Sequence, residues 1–485
     1  MIETGVNRAN RVLAFEYDDL YQLTREADSL RNSGSPVVYA YDAMGNRTRK
    51  VDNGITTDYT VDKLNRVTAA TTGVNVISYT YDANGNKIRE TDPAGNVTDY
   101  EYDAANRLVK TVFPAVYDGE TGTTRRPETT NVYDRRGLVV SSTDVRGTTT
   151  TNEYDILGRQ VKSTVQLENS QQLVTENEYD ALGNVIAVTT WRGTLPLVTA
   201  TEYDSFNRPV KVTDPAGNSE RYTCDTVGNK LTSTDKRGYV TDFTYDRANR
   251  LVMTRMPRLE NNTRPTTTTA YDKAGRVVAE TDPNNKTSRS EYDAAGRRIK
   301  SINAAGQETV YTYDSAGNIL TRTVAGQVTR YAYDKRNLQL SETLNPGDAE
   351  FERVTTNQYD SRGNRTRRIQ PDGAVTDYAY DAQNRMLSAV QEGAPQETRN
   401  YTCNAAGAIT FVAEGDRATG YTLDKLGRTV EERTFVKSPL DSTWIPKSLV
   451  SSIYDVVGNR LSVTYPDNRT LTSAYDLRNL LTSVS

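Results

Sequence analysis

The chain has 485 residues, 59 basic and 63 acidic side chains, two cysteines and no histidine. Without histidine there can be no Ser-His-Asp triad, no imidazole general base and no His-ligated metal, and a sequence pI near 5.4 excludes the basic footprint expected of a nucleic-acid binder. Hydrophobic residues make up only 36%, but the charges nearly balance and there are 31 tyrosines, which points to an ordered β protein with thin layers and much wet surface rather than to disorder.

The N-terminus, Met1-Ile2-Glu3-Thr4-Gly5, lacks the basic and apolar regions of a signal peptide. No apolar run approaches the roughly 18 residues that a transmembrane helix requires. From Tyr17-Asp18 onward a Tyr-Asp dyad recurs to Tyr475-Asp476, seventeen times intact and four times degenerate, as Val61-Asp62, Cys224-Asp225, Cys403-Asn404 and Leu423-Asp424. The spacing is 20 or 21 residues in most cases, so the chain divides into 21 units.

Each unit spells a hairpin. Thr309 to Tyr313 are β-branched or aromatic, with Tyr311 and Tyr313 on one side. Asp314-Ser315-Ala316-Gly317 is a turn in which the Asp accepts amide hydrogen bonds and the Gly takes a positive φ. The same signature stands at Tyr41, Asp42 and Gly45, at Tyr81, Asp82 and Gly85, at Tyr102, Asp103 and Asn106, and at Tyr292, Asp293 and Gly296. Four residues past the anchor, twenty of 21 units hold Gly or Asn, the two types that best tolerate the left-handed region, and only Tyr21 departs.

Three residues further on every unit has Leu, Ile, Val or Thr, as at Ile88, Leu231, Leu320 and Leu461, after a position of mixed polarity. This predicts one packed face and one partly wet face. Asp-x-x-Gly is compatible with a three-residue or a four-residue loop, which leaves the cross-strand register open.

Between the dyads lies a second turn, for example Asp92-Pro93-Ala94-Gly95 and Asp214-Pro215-Ala216-Gly217. The long inserts, Phe113 to Thr130 and Glu431 to Ser451, and the shorter ones at Val165 to Leu173 and Met256 to Thr266, enlarge this second turn and so map to one rim. Cys224 and Cys403 replace the anchor Tyr and read as small buried substitutes for that ring rather than a disulfide pair. The fold class is therefore all-β, a long antiparallel hairpin-repeat ribbon over residues 1–485 as a single domain. About forty strands at roughly 4.8 Å each give a ribbon on the order of 200 Å, which must coil; one turn would enclose a space about 60 Å across.

The chemistry-bearing columns each have a plain structural explanation. The Asp column, one carboxylate per turn in a fixed backbone context, reads as turn capping. Arginines after many turns, such as Arg107, Arg159, Arg250 and Arg297, read as solvated or cross-strand paired side chains. The tyrosines two residues before the anchor, among them Tyr39, Tyr79, Tyr311 and Tyr331, read as packing between neighbouring strands. These columns supply no catalytic residue, cofactor site or metal site.

Tyr39-Ala40-Tyr41-Asp42-Ala43-Met44-Gly45-Asn46-Arg47 and Tyr79-Thr80-Tyr81-Asp82-Ala83-Asn84-Gly85-Asn86-Lys87 resemble the YD repeat of RHS proteins, and the resemblance runs over nearly the whole chain. That family includes bacterial polymorphic toxins, the C component of insecticidal toxin complexes and animal teneurins. The resemblance implies a hollow β-sheet shell that spirals around a C-terminal toxin domain, a structural and non-enzymatic role in a secreted or cell-surface bacterial protein. It implies toxin cargo as the main partner, with delivery-system components, surface glycans and self-association through open sheet edges as further partners. Through the teneurin branch, the alternative is cell-surface adhesion or carbohydrate binding. The family's shell usually ends in an Asp-Pro-x-Gly-Leu protease segment, whereas here the Asp-Pro-Ala-Gly turns continue with Asn96 and Asn218. The expectation is a shell segment without protease or toxin.

Overall fold

A computed structural model describes residues 2–6, 12–29, 36–394 and 397–485. Among them the chain forms 45 β-strands and no α-helix, with a three-residue 3-10 turn at Glu168–Ser170. The backbone groups into two units, Met1–Val97 with Phe243–Tyr378, and Thr98–Asp242 with Ala379–Ser485. Each unit is an antiparallel meander in which strands pair with their neighbours in sequence, as Glu308–Tyr313 pairs with Ile319–Val324 and that strand with Gln327–Tyr333. The small hairpin of Val116–Asp118 and Thr123–Arg125, built inside the first long insert, pairs only with itself. The hairpin-repeat ribbon read from the sequence is thus the observed all-β fold.

The hairpin geometry resolves the open register. Asp314 N–H donates to the Asn318 carbonyl at 2.9 Å and Gly317 N–H to the Asp314 carbonyl at 3.2 Å. Tyr313 then lies opposite Ile319 while Thr312 lies opposite Thr321, one residue being bulged out. The loop is therefore three residues, Ser315 to Gly317: a tight turn closed by a residue with positive φ. Second turns repeat the device, with Gly95 N–H on the Asp92 carbonyl at 2.9 Å, or shorten to a two-residue Asn-Gly turn at Asn53 (φ 50°) and Gly54 (φ 71°).

Every one of the 21 positions four residues past the anchor has positive φ, from 59° at Asn207 to 106° at Gly458. Tyr21 is no exception in conformation, only in residue type: its φ is 61°. A side chain with a bulky Cβ substituent costs about 1–2 kcal/mol in that region. Tyr21→Gly is accordingly expected to stabilise the first turn by about 1 kcal/mol, seen as slower amide exchange of Tyr21 and Gln22; unchanged exchange would show the strain to be absent.

The packed face expected from the aliphatic column is not there. Ile88, Leu231, Leu320 and Leu461 are 37%, 39%, 38% and 39% exposed, and only ten apolar residues are buried among those described. The physical reason is that the ribbon has no second layer. Among the described residues strands pack chiefly on their sequence neighbours; Leu108–Val112 against Glu128–Tyr133 and Val116–Asp118 against Arg399–Cys403 are exceptions. Side chains on either face are covered mainly by the hairpins beside them, so both faces stay largely half wet.

Candidate functional site: the turn rim

With no core, the order of the ribbon depends on what joins one hairpin to the next, and the joints lie at the Tyr-Asp turns. Eleven of the seventeen anchor tyrosines reach back to the preceding hairpin through the hydroxyl. Tyr81 Oη donates to the Val67 carbonyl at 2.7 Å, Tyr292 to Val277 at 2.9 Å, Tyr313 to Arg298 at 2.6 Å and Tyr41 to Leu23 at 2.9 Å. In every case the acceptor lies six residues past the preceding anchor position, so the ring spans the seam between two hairpins while its hydroxyl satisfies a backbone carbonyl.

The aspartate holds its own turn. Asp42 Oδ1 accepts from Met44 N–H and Asn46 N–H at 2.9 Å each, and Oδ2 from Asn46 Nδ2 at 2.9 Å. Asp82 binds Asn86 in the same way, and Asp103 binds Ala105 N–H, Arg107 N–H and Arg107 Nε, the last at 2.7 Å. These donors hold the carboxyls of Asp42, Asp82, Asp103 and Asp246 below the ordinary aspartate range, the side-chain hydrogen bond from Asn46, Asn86, Arg107 or Arg250 being the chief cause.

The arginines do more than the sequence predicts. Arg297 Nε donates to its own turn's Asp293 at 2.7 Å, and its Nη1 donates to the Asp314 carbonyl of the following turn at 2.8 Å. The guanidinium lies 4.9 Å from the centroid of the Tyr313 ring. Arg66, Arg107, Arg159, Arg250, Arg276 and Arg428 repeat this three-part link to the next unit. Where the usual position holds Leu138 or Leu338, an arginine two residues earlier substitutes: Arg136 reaches Asp155 and Arg336 reaches Asp360. The reading of these arginines as solvated or cross-strand paired is thereby corrected, since their partners are the aspartate of their own turn and the backbone of the next.

Several tyrosine faces are likewise occupied. The cation of Arg298 stands 5.6 Å from the Tyr311 ring and that of Lys87 5.5 Å from Tyr79. A sugar would have to displace these cations to stack there.

One degenerate unit has a use of its own. The first long insert docks on the Cys403-Asn404 turn: Gly119 N–H donates to the Cys403 carbonyl at 2.9 Å, and Asn404 Nδ2 donates to Glu120 Oε1 at 2.7 Å. Asn404 is fully buried. It still caps its own turn, taking Ala406 and Ala408 N–H at 3.1 and 2.9 Å. An aspartate would cap equally well but would set a second carboxylate against Glu120, which accounts for the one gap in the Asp column. A Cβ on Gly119 would lie 2.2 Å from Thr410 Oγ1, so the insert approaches as closely as backbone allows. The lone Asn in a column of Asp was the signal available in the sequence. Cys403 is buried beneath this contact, Cys224 is half-buried, and both thiols are free.

Among the described residues no group of three Cys, Asp or Glu side chains converges as a metal site would require. Among the described residues no helix is long and apolar enough to cross a membrane. The rim is built of caps and joints, and its chemistry is that of a wall: the class defined is an all-β repeat protein whose units are stitched turn to turn.

Known proteins share this architecture. Residues 113–364 and 242–399, together more than half of the chain, match the teneurin YD-shell family, and residues 81–115 match the RHS repeat. The chain belongs to the teneurin YD-shell family. No curated protein matches it by sequence. The crystal structure of TcdB2-TccC3-TEV superposes with a TM-score of 0.52 at 16% identity, covering 97% of this chain and 32% of that one. A mutant Photorhabdus luminescens Tc holotoxin pore gives 0.50 at 14% identity, covering 100% of this chain and 33% of that one. The chain thus spans about a third of the length of these structures, 32% and 33%, and shares their fold.

Proposed function

We propose that the chain is a structural segment of a toxin-complex shell: a single YD-repeat wall that coils around a C-terminal toxin domain and shields it in a secreted bacterial protein. The observation that carries this reading is the stitching of a thin sheet through most of its Tyr-Asp turns, with few buried apolar residues. A sheet that buries little within itself is suited to enclosing something else. The family match and the fold shared with Tc toxin structures support the same role. Cargo and delivery components are the partners this role requires, and no catalysis is assigned to the chain.

Electron microscopy of the purified protein tests the proposal. The expected image is a curved wall bordering a void, with a span on the order of 60 Å if the ribbon closes one turn. A solid particle would overturn the shell reading.

A further inference from the structure

In most Tyr-Asp turns the left-handed residue, four past the anchor, is followed by a residue whose side chain reaches the next turn. We infer that this follower selects the left-handed residue of the next turn, so that each hairpin specifies which hairpin it accepts as its neighbour.

The pairing along the chain has no exception. Followers Asn46, Asn184, Asn318 and Asn459 are succeeded, one turn later, by left-handed Asn65, Asn207, Asn337 and Asn479. The three remaining Asn followers, Asn86, Asn229 and Asn364, are succeeded by Asn106, Asn249 and Asn384. No other left-handed Asn occurs in this column. After every follower of another type, the next left-handed residue is Gly, in all thirteen cases.

The geometry supplies a reason for both halves of the rule. Asn318 Nδ2 donates to Asn337 Oδ1 at 2.8 Å while also holding Asp314 Oδ2 at 2.8 Å. Asn46 to Asn65, Asn184 to Asn207 and Asn459 to Asn479 repeat this bond at 2.8, 3.0 and 2.9 Å. A short follower leaves room beside the next turn and offers an amide donor, and the Asn opposite supplies the acceptor. A long follower can fill that room: a Cβ on Gly296 would already lie 3.8 Å from Arg276 Nη1, on Gly363 3.8 Å from Leu338 Cδ1, and on Gly45 2.9 Å from Gln22 Nε2. There the remaining atoms of an Asn side chain would have to enter the follower's space, which favours Gly. After Arg66, Arg107, Arg208, Arg297 and Arg428 a Cβ on the next glycine would meet nothing within 4 Å, and the arginine's bond to the next turn's Asp carbonyl stands in place of the amide pair.

The case that looks weakest obeys the same physics. Ala408 is a short follower, yet its successor is Gly427. There the space is taken from elsewhere in the same unit, since a Cβ on Gly427 would lie 2.6 Å from Arg146 Nη1. The rim is therefore an interaction surface with two mating types: an amide that accepts an Asn-bearing turn, and a filled slot that accepts a Gly-bearing one.

A double-mutant cycle on the full chain decides the matter: Asn318→Arg, Asn337→Gly and the two combined, read by amide exchange of Asn337 and Asp334, whose bonds to Asp334 O and Leu338 O close the second turn. Asn318→Arg alone should raise exchange about tenfold, and the double variant should return to within about twofold of the parent. The reverse cycle, Arg276→Asn with Gly296→Asn, should show the same rescue and serves if a single variant of the first set fails to fold. Simple additivity in either cycle, or single variants indistinguishable from the parent, would overturn the rule and leave the pairing as a relic of unit duplication.

Discussion

Replacing Asn404 by Asp should be among the most damaging single-atom changes available in this chain. The carboxamide is fully buried and donates to Glu120 at 2.7 Å; the substitution leaves shape and turn capping intact and replaces a donor by an anion facing an anion. Opening a buried hydrogen-bonded contact in this way costs on the order of 3 kcal/mol. The sign of the pH dependence follows. Burial and the neighbouring carboxylate raise the pKa of the introduced group in the folded state, so the protonated form fits and the ionised form does not. The loss should be small in acid and grow as pH rises through that titration. Urea midpoints of the variant and parent should converge at low pH and separate at neutral pH, whereas a pH-independent gap would show that charge is not the cause. Asn404→Ser, which caps weakly but carries no charge, should lie between them at neutral pH.

The parent protein should behave in the opposite way with acid. The turn aspartates Asp42, Asp62, Asp82, Asp103 and Asp246 titrate below the ordinary aspartate range because their side-chain hydrogen bonds from Asn46, Arg66, Asn86, Arg107 and Arg250 favour the carboxylate. A depressed folded-state pKa means stability that is complete above the unfolded value and is lost as pH falls through the folded one. These groups are half-buried at the rim and each contributes little, but they act on joints that recur along the ribbon. Folding stability is expected to be flat from neutrality to about pH 5 and to fall steeply below about pH 4, near the unperturbed aspartate pKa. Unfolding titrations should show net proton uptake on unfolding in that window. A flat profile down to pH 3 would mean the carboxylates do not hold the rim.

Much of this fold is legible in the sequence because its unit is short and its signals are local. Asp314 and Gly317 declare a turn within four residues, and the positive φ at all 21 such positions follows from steric limits on the backbone. The same shortness explains what was missed. Alternation of apolar residues indicates which side chains share a face, but not whether anything covers that face, and Leu320 reads as packed although it is 38% exposed. The forward reach of Arg297 to Asp314 depends on how adjacent hairpins stagger, which the bulge at the anchor sets and Asp-x-x-Gly alone does not. Docking of Glu120 on Asn404 joins residues 284 positions apart. It left one trace, an Asn in a column of Asp, whose partner no local pattern could identify.

That strands touch almost only their sequence neighbours bears on how the wall is made. Pairing requires the chain to look ahead no further than the next strand, so loop-closure costs stay low and sequence separation between contacts stays short. Each hairpin can set against the finished edge as soon as it is synthesised, without waiting for the remainder. The order of manufacture is then the order of the structure.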